Sequence, residues 1–493
     1  MKRTIGFILS LLMLTTLFGC AGKQSASNEL WIVTEATTWD RMNGQVAVVA
    51  EQFEADNPGV TVRIDILPTE SQERSVYIQQ LRTKILRGQG PDVYLLPTST
   101  ELMTDAASGY EKVSVEPLFP DVVQAMTNGM FRDISSLYNA DEDLGKESLQ
   151  KTVMDAGVLE GKRYVLPLRY DIPVLYVDRN FAESRGISTE IMTQNVDQIM
   201  MQAVQWDDPA LAGAFSQMST AVFTQWLDYA NQSVSLDADT IAIFLGSYQA
   251  LQAQTSGELK PSVPMNVNDY CRLYYQDMGE DPYRIYAGTL ADLLEYAPVY
   301  QFEEQDLMVL PMRSIGGDVV ANVTYYGAVG SGCQDPERAY EFLRMFLLEE
   351  SQWEANRPQS LNAVGEKGRK VSTTNTTQVP GLIEEGWPVR SQGSLDSLWN
   401  TRKRQFYNHK AHHPDPEIAR RMRKIGMSQL DSQWSQILAT EPDQVRFGSS
   451  VDQIFLDTLA QLNDPVTNAP RNVDVHALAE DFWWQLRWHV AEG

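Results

Sequence analysis

The chain is short of cysteine, of histidine and of long apolar runs, and each shortage narrows what it does. Its three cysteines, Cys20, Cys271 and Cys333, make no Cys-x-x-Cys, which argues against a structural zinc or iron–sulfur site. A Cys271–Cys333 disulfide stays open, but two cysteines so far apart in sequence read better as small buried residues. The histidines include one local group, His409, His412 and His413 with Asp415. His412 and His413 cannot both share a helix face with His409, and Pro414 follows directly, so no metal site is expected there. G-x-S-x-G, P-loop and H-E-x-x-H patterns are missing. Lys plus Arg is 40 against 65 Asp plus Glu, a formal charge of −25, which sets aside binding of nucleic acid through its phosphates. Glu70 and Asp171 would fit a glycosidase carboxylate pair, yet a chain with 65 acids offers many such pairs and the pattern carries no weight. Ile5–Phe18 is an apolar run of about 14 residues, too short for a comfortable membrane span, and no other stretch approaches the length a span needs. There are no internal repeats.

What is present begins with that run. Lys2 and Arg3 precede it, and together they read as a secretory signal over Met1–Gly19. Its end, Leu17-Phe18-Gly19-Cys20, resembles the bacterial lipobox, in which the thiol of Cys20 is diacylated and becomes the mature N-terminus. A plain secretory signal with an incidental cysteine is the alternative. Residues 20–28, small and polar after Cys20, would be a lipidated tether holding the folded body outside the membrane, with lipid as the sole membrane contact.

At 493 residues the chain is too long for one ordinary core, and two lobes are expected. Leu30–Thr34 is a β-rich run, and Val46, Val49, Ala50 and Phe53 follow at helical spacing. Val60, Val62, Ile64 and Ile66 alternate with polar residues as in a strand, and Ile78, Leu81 and Ile85 mark a second helix. Asp92–Leu96 is a third strand, so the order is β-α-β-α-β, the start of a doubly wound sheet. Ligands of such sheets sit outside the carboxyl ends of the strands. Those ends carry Glu35, Thr38, Trp39 and Asp40, then Thr69 and Glu70, then Pro97, Thr98 and Ser99.

Leu159–Asn180 organises the rest. Gly161 opens a turn, and Tyr164–Leu168 and Pro173–Val177 are short extended runs that Pro167 and Pro173 keep from being a helix. Between them Arg169, Tyr170 and Asp171 place a guanidinium, a phenol and a carboxylate in one bend, suited to a polar ligand or to an ordinary salt-bridged loop. Gly161, Lys162, Tyr164, Leu166, Pro167, Leu175, Tyr176, Asp178, Arg179 and Asn180 resemble the central signature of the extracellular solute-binding proteins of ABC importers, the group that includes maltose-binding protein. The segments FEADNPGVTVRI and GQGPDVYLL resemble the same family.

The resemblance implies an α/β, two-lobed periplasmic-binding-protein-like fold, each lobe a sheet flanked by helices with a hinge between. It implies a first lobe of 28–135 and 285–349 and a second of 136–284 and 350–493. Gly129–Tyr138 would be the crossing out of the first lobe, Tyr283–Tyr296 the return, and Gly386–Arg390 an element of the second lobe. Ser108–Asn128 reads as an elaboration. Asp335 and Pro336 open a helix with Ala339, Phe342, Leu343, Phe346 and Leu347 on its apolar face, and Phe482, Trp483, Trp484 and Trp488 belong to a helix packed on the second lobe. The cleft aromatics would be Trp39, Tyr170, Tyr176, Tyr286, Tyr325, Tyr326 and Trp387, although each serves packing equally well. Asp40, Glu70, Thr98, Arg169, Asp171 and Arg390 would supply hydrogen bonds. The family implies a monomer without cofactor or catalysis that closes on a solute, here a sugar or oligosaccharide, and docks on the membrane permease subunits of an importer. Competing readings are a surface-anchored glycan-processing enzyme, a binding protein for a non-sugar solute, and a binding lobe that serves a sensor system.

Overall fold

The computed structural model describes residues 28–35, 42–98, 101–106, 109–114, 117–187, 190, 193–206, 227–229, 231–255, 285–290, 305–348, 362–364, 370–372, 387–390, 416–417, 420, 440–464 and 470–492. Cys20, Trp39, Asp40, Trp226, Cys271, His409, His412, His413 and Asp415 lie outside them, as does the expected signal, and Trp206 and Tyr286 are described by backbone alone. Among the described residues no helix is long and apolar enough to cross a membrane.

The expected opening is present as β1 (Glu29–Glu35), α1 (Met42–Asp56), β2 (Thr61–Leu67), α2 (Ser71–Leu86) and β3 (Val93–Pro97). A hairpin follows, β4 (Glu101–Ala106) and β5 (Gly109–Ser114), and then the short helix α3 (Val122–Thr127). The central stretch forms β6 (Val165–Asp171) and β7 (Pro173–Asp178), after a turn in which Gly161 takes a φ of 76° that a side chain would strain. Next come α4 (Val196–Trp206), α5 (Ala238–Thr255), β8 (Ile285–Thr289), β9 (Leu307–Pro311), β10 (Val320–Val329) and α6 (Pro336–Arg344). The described chain ends with β11 (Trp387–Pro388), β12 (Gln444–Phe447), α7 (Ser450–Gln461) and α8 (Val475–Glu492).

Two sheets organise these elements. The larger runs β11-β6-β10-β3-β1-β2, with β12 also on β10. In it β1, β2 and β3 are parallel, and β10 runs antiparallel to β3 and β6. The smaller runs β8-β7-β9 and is antiparallel. Two hydrophobic cores go with them. The first gathers Ile32, Phe53, Ile78, Leu95, Val165, Tyr326 and Phe342, and the second Leu175, Ile199, Leu245, Met308, Phe455 and Phe482. Strand β7 divides the two, with Val174 and Tyr176 in the first and Leu175 and Val177 in the second. Its period-2 geometry sends alternate side chains to opposite faces, and both faces are covered, so every residue of the strand is buried.

The packing changes hands later than expected. Gly129–Tyr138, read as the crossing, stays with the first core because Phe131 bridges Gly330 and the amide of Ile134 donates to the Arg163 carbonyl. Residues Trp387–Arg390, expected in the second lobe, instead extend the first sheet, with Trp387 opposite Tyr170 and Pro388 opposite Arg169 on β6. An edge position suits Pro388, which has no N–H to donate.

Three crossings between the sheets or cores are described. Ile172 alone links β6 to β7. Met312–Val319 links β9 to β10. Gly448 and Ser449 link β12, on the first sheet, to α7 in the second core. The first two lie side by side, the Met312 amide donating to the Pro173 carbonyl at 2.9 Å, and the end of the second meets the start of β12, where the Asp443 amide donates to the Val319 carbonyl at 2.8 Å. A Cβ on Gly448 would come within 2.7 Å of the Thr98 carbonyl oxygen, so the third crossing passes the end of β3 only because it carries no side chain.

Arg169, Tyr170 and Asp171, expected in a bend between two strands, are instead the last three residues of the buried strand β6. Asp335 caps α6, accepting from the Arg338 amide at 3.1 Å. Helix α8 buries Phe482 and Leu486 in the second core and leaves Trp484 and Trp488 exposed, 52% and 64%. Cys333 is a buried free thiol, and burial together with the charge of Asp92 pushes its pKa up to about 12. With Cys20 and Cys271 replaced by Ser, iodoacetamide at pH 8 should label Cys333 at a small fraction of its rate in denaturant, because the thiolate is the nucleophile. Equal rates in the native and denatured protein would contradict the burial.

Candidate functional site

Strand direction gathers the candidate residues on one rim of the larger sheet. The carboxyl ends of β1, β2 and β3 bring Glu35, Thr69, Glu70 and Thr98 there. β10 pairs antiparallel with β3, so its opening residues meet the same rim, and the Thr98 amide donates to the Thr324 carbonyl at 3.0 Å. β6 ends there too, with Asp171 opposite Asn322, and β11 begins there with Trp387 opposite Tyr170. Two of the crossings start beside this rim, at Ile172 and Gly448.

The rim is braced from below by an ion pair. Arg74 and Glu35 are 2% and 4% exposed, and the guanidinium grips the carboxylate with two bonds, 2.5 and 2.9 Å. The same Nη1 donates to the Pro68 carbonyl at 3.0 Å, so one arginine ties the end of β1 to the end of β2. Arg74 is not among the residues expected from the sequence, although the sequence carries a signal for it. It stands on the same stripe as Ile78, Leu81 and Ile85, and a charge on an apolar stripe needs a buried partner. Asn322 and Thr324 were missed as well; they are half-buried, at alternate positions of a strand whose other residues are buried.

The expected ligand residues divide by what their side chains touch. Glu70 is exposed and caps α2, accepting from the Glu73 amide at 2.7 Å, and that bond holds its carboxyl below the usual range. Thr98 is half-buried and donates from Oγ1 to the Val323 carbonyl at 2.6 Å. Asp171 accepts from the Ile172 amide at 2.9 Å at the first crossing, and Arg169 donates to the Leu168 carbonyl at 2.9 Å; both are buried. Tyr170 is buried against the charge of Asp171, and burial first, that charge second, raises its phenol.

The remaining aromatics lie in the walls of the cores. Tyr176 donates to the Thr289 carbonyl at 2.5 Å, which ties β7 to β8. Tyr325 donates to the Leu95 carbonyl at 3.2 Å, so its single proton is spent and Thr34, also at 3.2 Å, supplies the proton for their contact. Tyr326 sits edge-on to Phe131 and Phe447, and burial, then the charge of Glu35, lifts its phenol far above the ordinary value. Trp387 is 2% exposed in the first core. Arg390 leaves the rim altogether: it donates to the Leu347 and Leu144 carbonyls at 2.8 Å and to Ser148 Oγ. Three carbonyl and hydroxyl partners make it a tie between segments of the first core. Among the described residues no group of His, Cys, Asp and Glu has the makings of a metal site.

No protein-family model matches the chain, and no curated protein matches it. Solved structures do. The galacto-N-biose-/lacto-N-biose I-binding protein of the ABC transporter from Bifidobacterium longum, in complex with lacto-N-biose, matches with a TM-score of 0.52 at 14% identity, covering 94% of this chain and 97% of that one. A periplasmic oligogalacturonide-binding protein from Yersinia enterocolitica matches with a TM-score of 0.50 at 11% identity, covering 94% and 99%. At such identities the likeness is one of fold, and the fold of this chain is the two-lobed α/β fold of the solute-binding proteins.

Proposed function

We propose that this chain is an extracytoplasmic solute-binding protein that takes a carbohydrate between its lobes and delivers it to the permease of an ABC importer. The observation that carries the reading is the rim: six strand ends converge on one edge of the first sheet, and the chain crosses to the second sheet beside it. A cleft at that place is closed or opened by small changes at the crossings. The two solved structures named above bear the names of carbohydrate-binding proteins. The lipidated Cys20 would anchor the chain to the bacterial membrane, and it would act as a monomer without covalent chemistry.

The described residues best suited to meet a sugar are the polar residues of the rim that are not buried, the exposed Glu70 and the half-buried Thr98, Asn322 and Thr324. Trp39, Asp40 and Tyr286 would add the stacking and hydrogen bonding of the same cleft. Arg169 and Asp171 would act from the crossing, where Asp171 neighbours Ile172. The packing favours a first lobe that keeps β6, β10, β11 and β12, and a second built on β7, β8, β9, α4, α5, α7 and α8.

The test is thermal melting of residues 21–493 against mono- and oligosaccharides, peptides and polyamines. A ligand at about a hundred times its Kd should stabilise the fold by roughly 2.7 kcal/mol. Stabilisation by one sugar series without turnover of that sugar is the expected result. A hit among peptides or polyamines alone would sink the carbohydrate assignment, and turnover would replace binding by catalysis.

A further inference from the structure

Asp121 is a buried carboxylate for which the cleft has no use. It is 5% exposed and caps α3, accepting from the Gln124 amide at 2.8 Å on one oxygen. The other oxygen accepts from the Tyr229 hydroxyl at 2.6 Å. That hydroxyl also lies 3.0 Å from Nε2 of His489 on α8, and the two rings meet edge to face with centroids 6.1 Å apart. A phenol has one proton. With Asp121 ionised, Tyr229 donates it to the carboxylate, and His489 must then carry its proton on Nε2 and donate to Tyr229. The result is a directed chain, His489 to Tyr229 to Asp121. Ser450 Oγ stands 3.5 Å from the same Nε2.

This chain of bonds crosses the seam between the two cores. Val122, Ala125 and Met126 of α3 pack in the first core, Tyr229 packs in the second, and Val123 touches both. The third crossing is at the same spot, where Asp121 bridges Ser449 and the Ser450 amide donates to the Pro120 carbonyl at 3.0 Å. A backbone bridge alone leaves rotation about itself free. A second tie displaced from it, running through Tyr229 to α8, removes that freedom.

We propose that Asp121, Tyr229 and His489 form a catch that holds α3 against the second core and sets the angle at which the lobes rest. The proposal rests on the hinge reading above. Its direction follows from the carboxylate. Burial raises the pKa of Asp121 and the Tyr229 bond opposes that effect. Without Tyr229 the buried carboxylate loses one of its two hydrogen-bond donors, and it regains water by moving the lobes apart. Tyr229 and His489 are therefore positioning residues that touch no solute.

The measurement is the distance distribution between nitroxides placed at the exposed positions Gln79→Cys on α2 and Ile243→Cys on α5, in residues 21–493 with Cys271 replaced by Ser. Tyr229→Phe and His489→Leu should each shift the sugar-free population toward longer separations by about fivefold, the population equivalent of one hydrogen bond's net worth. His489→Gln, which keeps an N–H donor, should restore most of the wild-type distribution. Moving lobes with the same distribution in all three variants, even with a lowered melting temperature, would overturn the catch and leave the hinge standing. One narrow distance in wild type and every variant, with and without a stabilising sugar, would sink the hinge and the catch together.

Discussion

Arg74→Ala is expected to cost about 3–5 kcal/mol of folding stability, the range for removing one partner of a buried ion pair. Glu35 is 4% exposed and takes two short bonds from this guanidinium, so truncation strips a buried carboxylate of its fork-shaped donor. Arg74→Lys should recover little, because a point charge cannot make both bonds. The double variant Glu35→Gln, Arg74→Met should lie much nearer the wild type, since it removes the charge that needed compensation. Urea unfolding of the four proteins decides the matter. A loss below about 1 kcal/mol in Arg74→Ala would mean that water enters the site and that the pair is worth no more than a surface one. The consequence for function lies in Pro68. The same arginine holds its carbonyl at 3.0 Å, so β1 and β2 lose their common brace and the rim loses its shape. The stabilising effect of any sugar in the melting panel should shrink with it.

How much of this was legible in the sequence depended on what each element faces. β2 alternates polar and apolar residues, and its expected ends lie within one residue of the observed ones. β6 and β7 are buried along their whole length, and β10 from Tyr325 onward, so alternation gives no cue to which face meets which core. That is why Tyr176, Tyr325 and Tyr326 read equally well as cleft and as core. The pairing of Trp387 with Tyr170 joins residues more than two hundred positions apart, and nothing in the local pattern of β11 announces it. The hairpin of β4 and β5 went unread because Ala107-Ser108, between its strands, is not one of the Asn-Gly or Asp-Gly pairs that announce a tight turn. The rim itself was legible. It follows from the rule that ligands sit at carboxyl ends of parallel strands, and the observed topology extends it to β6, β10 and β11.

Trp387→Ala separates the two roles the sequence left open for this residue. An indole that is 2% exposed and packed in the first core should cost about 3–5 kcal/mol when truncated, through lost burial and the cavity left behind. Trp387→Phe keeps an aromatic in that space and should cost roughly half as much, with denaturant unfolding as the measurement. A platform for a sugar behaves differently: its ring must be open to solvent in the free protein, so truncation costs affinity and little stability. In Trp387→Phe, then, the free-energy loss in unfolding should exceed the loss in sugar binding measured by calorimetry. The reverse order would mean that the ring swings out of the core to meet the solute, and that β11 is a moving part of the cleft. The expected order makes β11 the edge that closes the first core beside β6. The work of meeting a solute would then fall to the half-buried Thr98, Asn322 and Thr324 a few strands away.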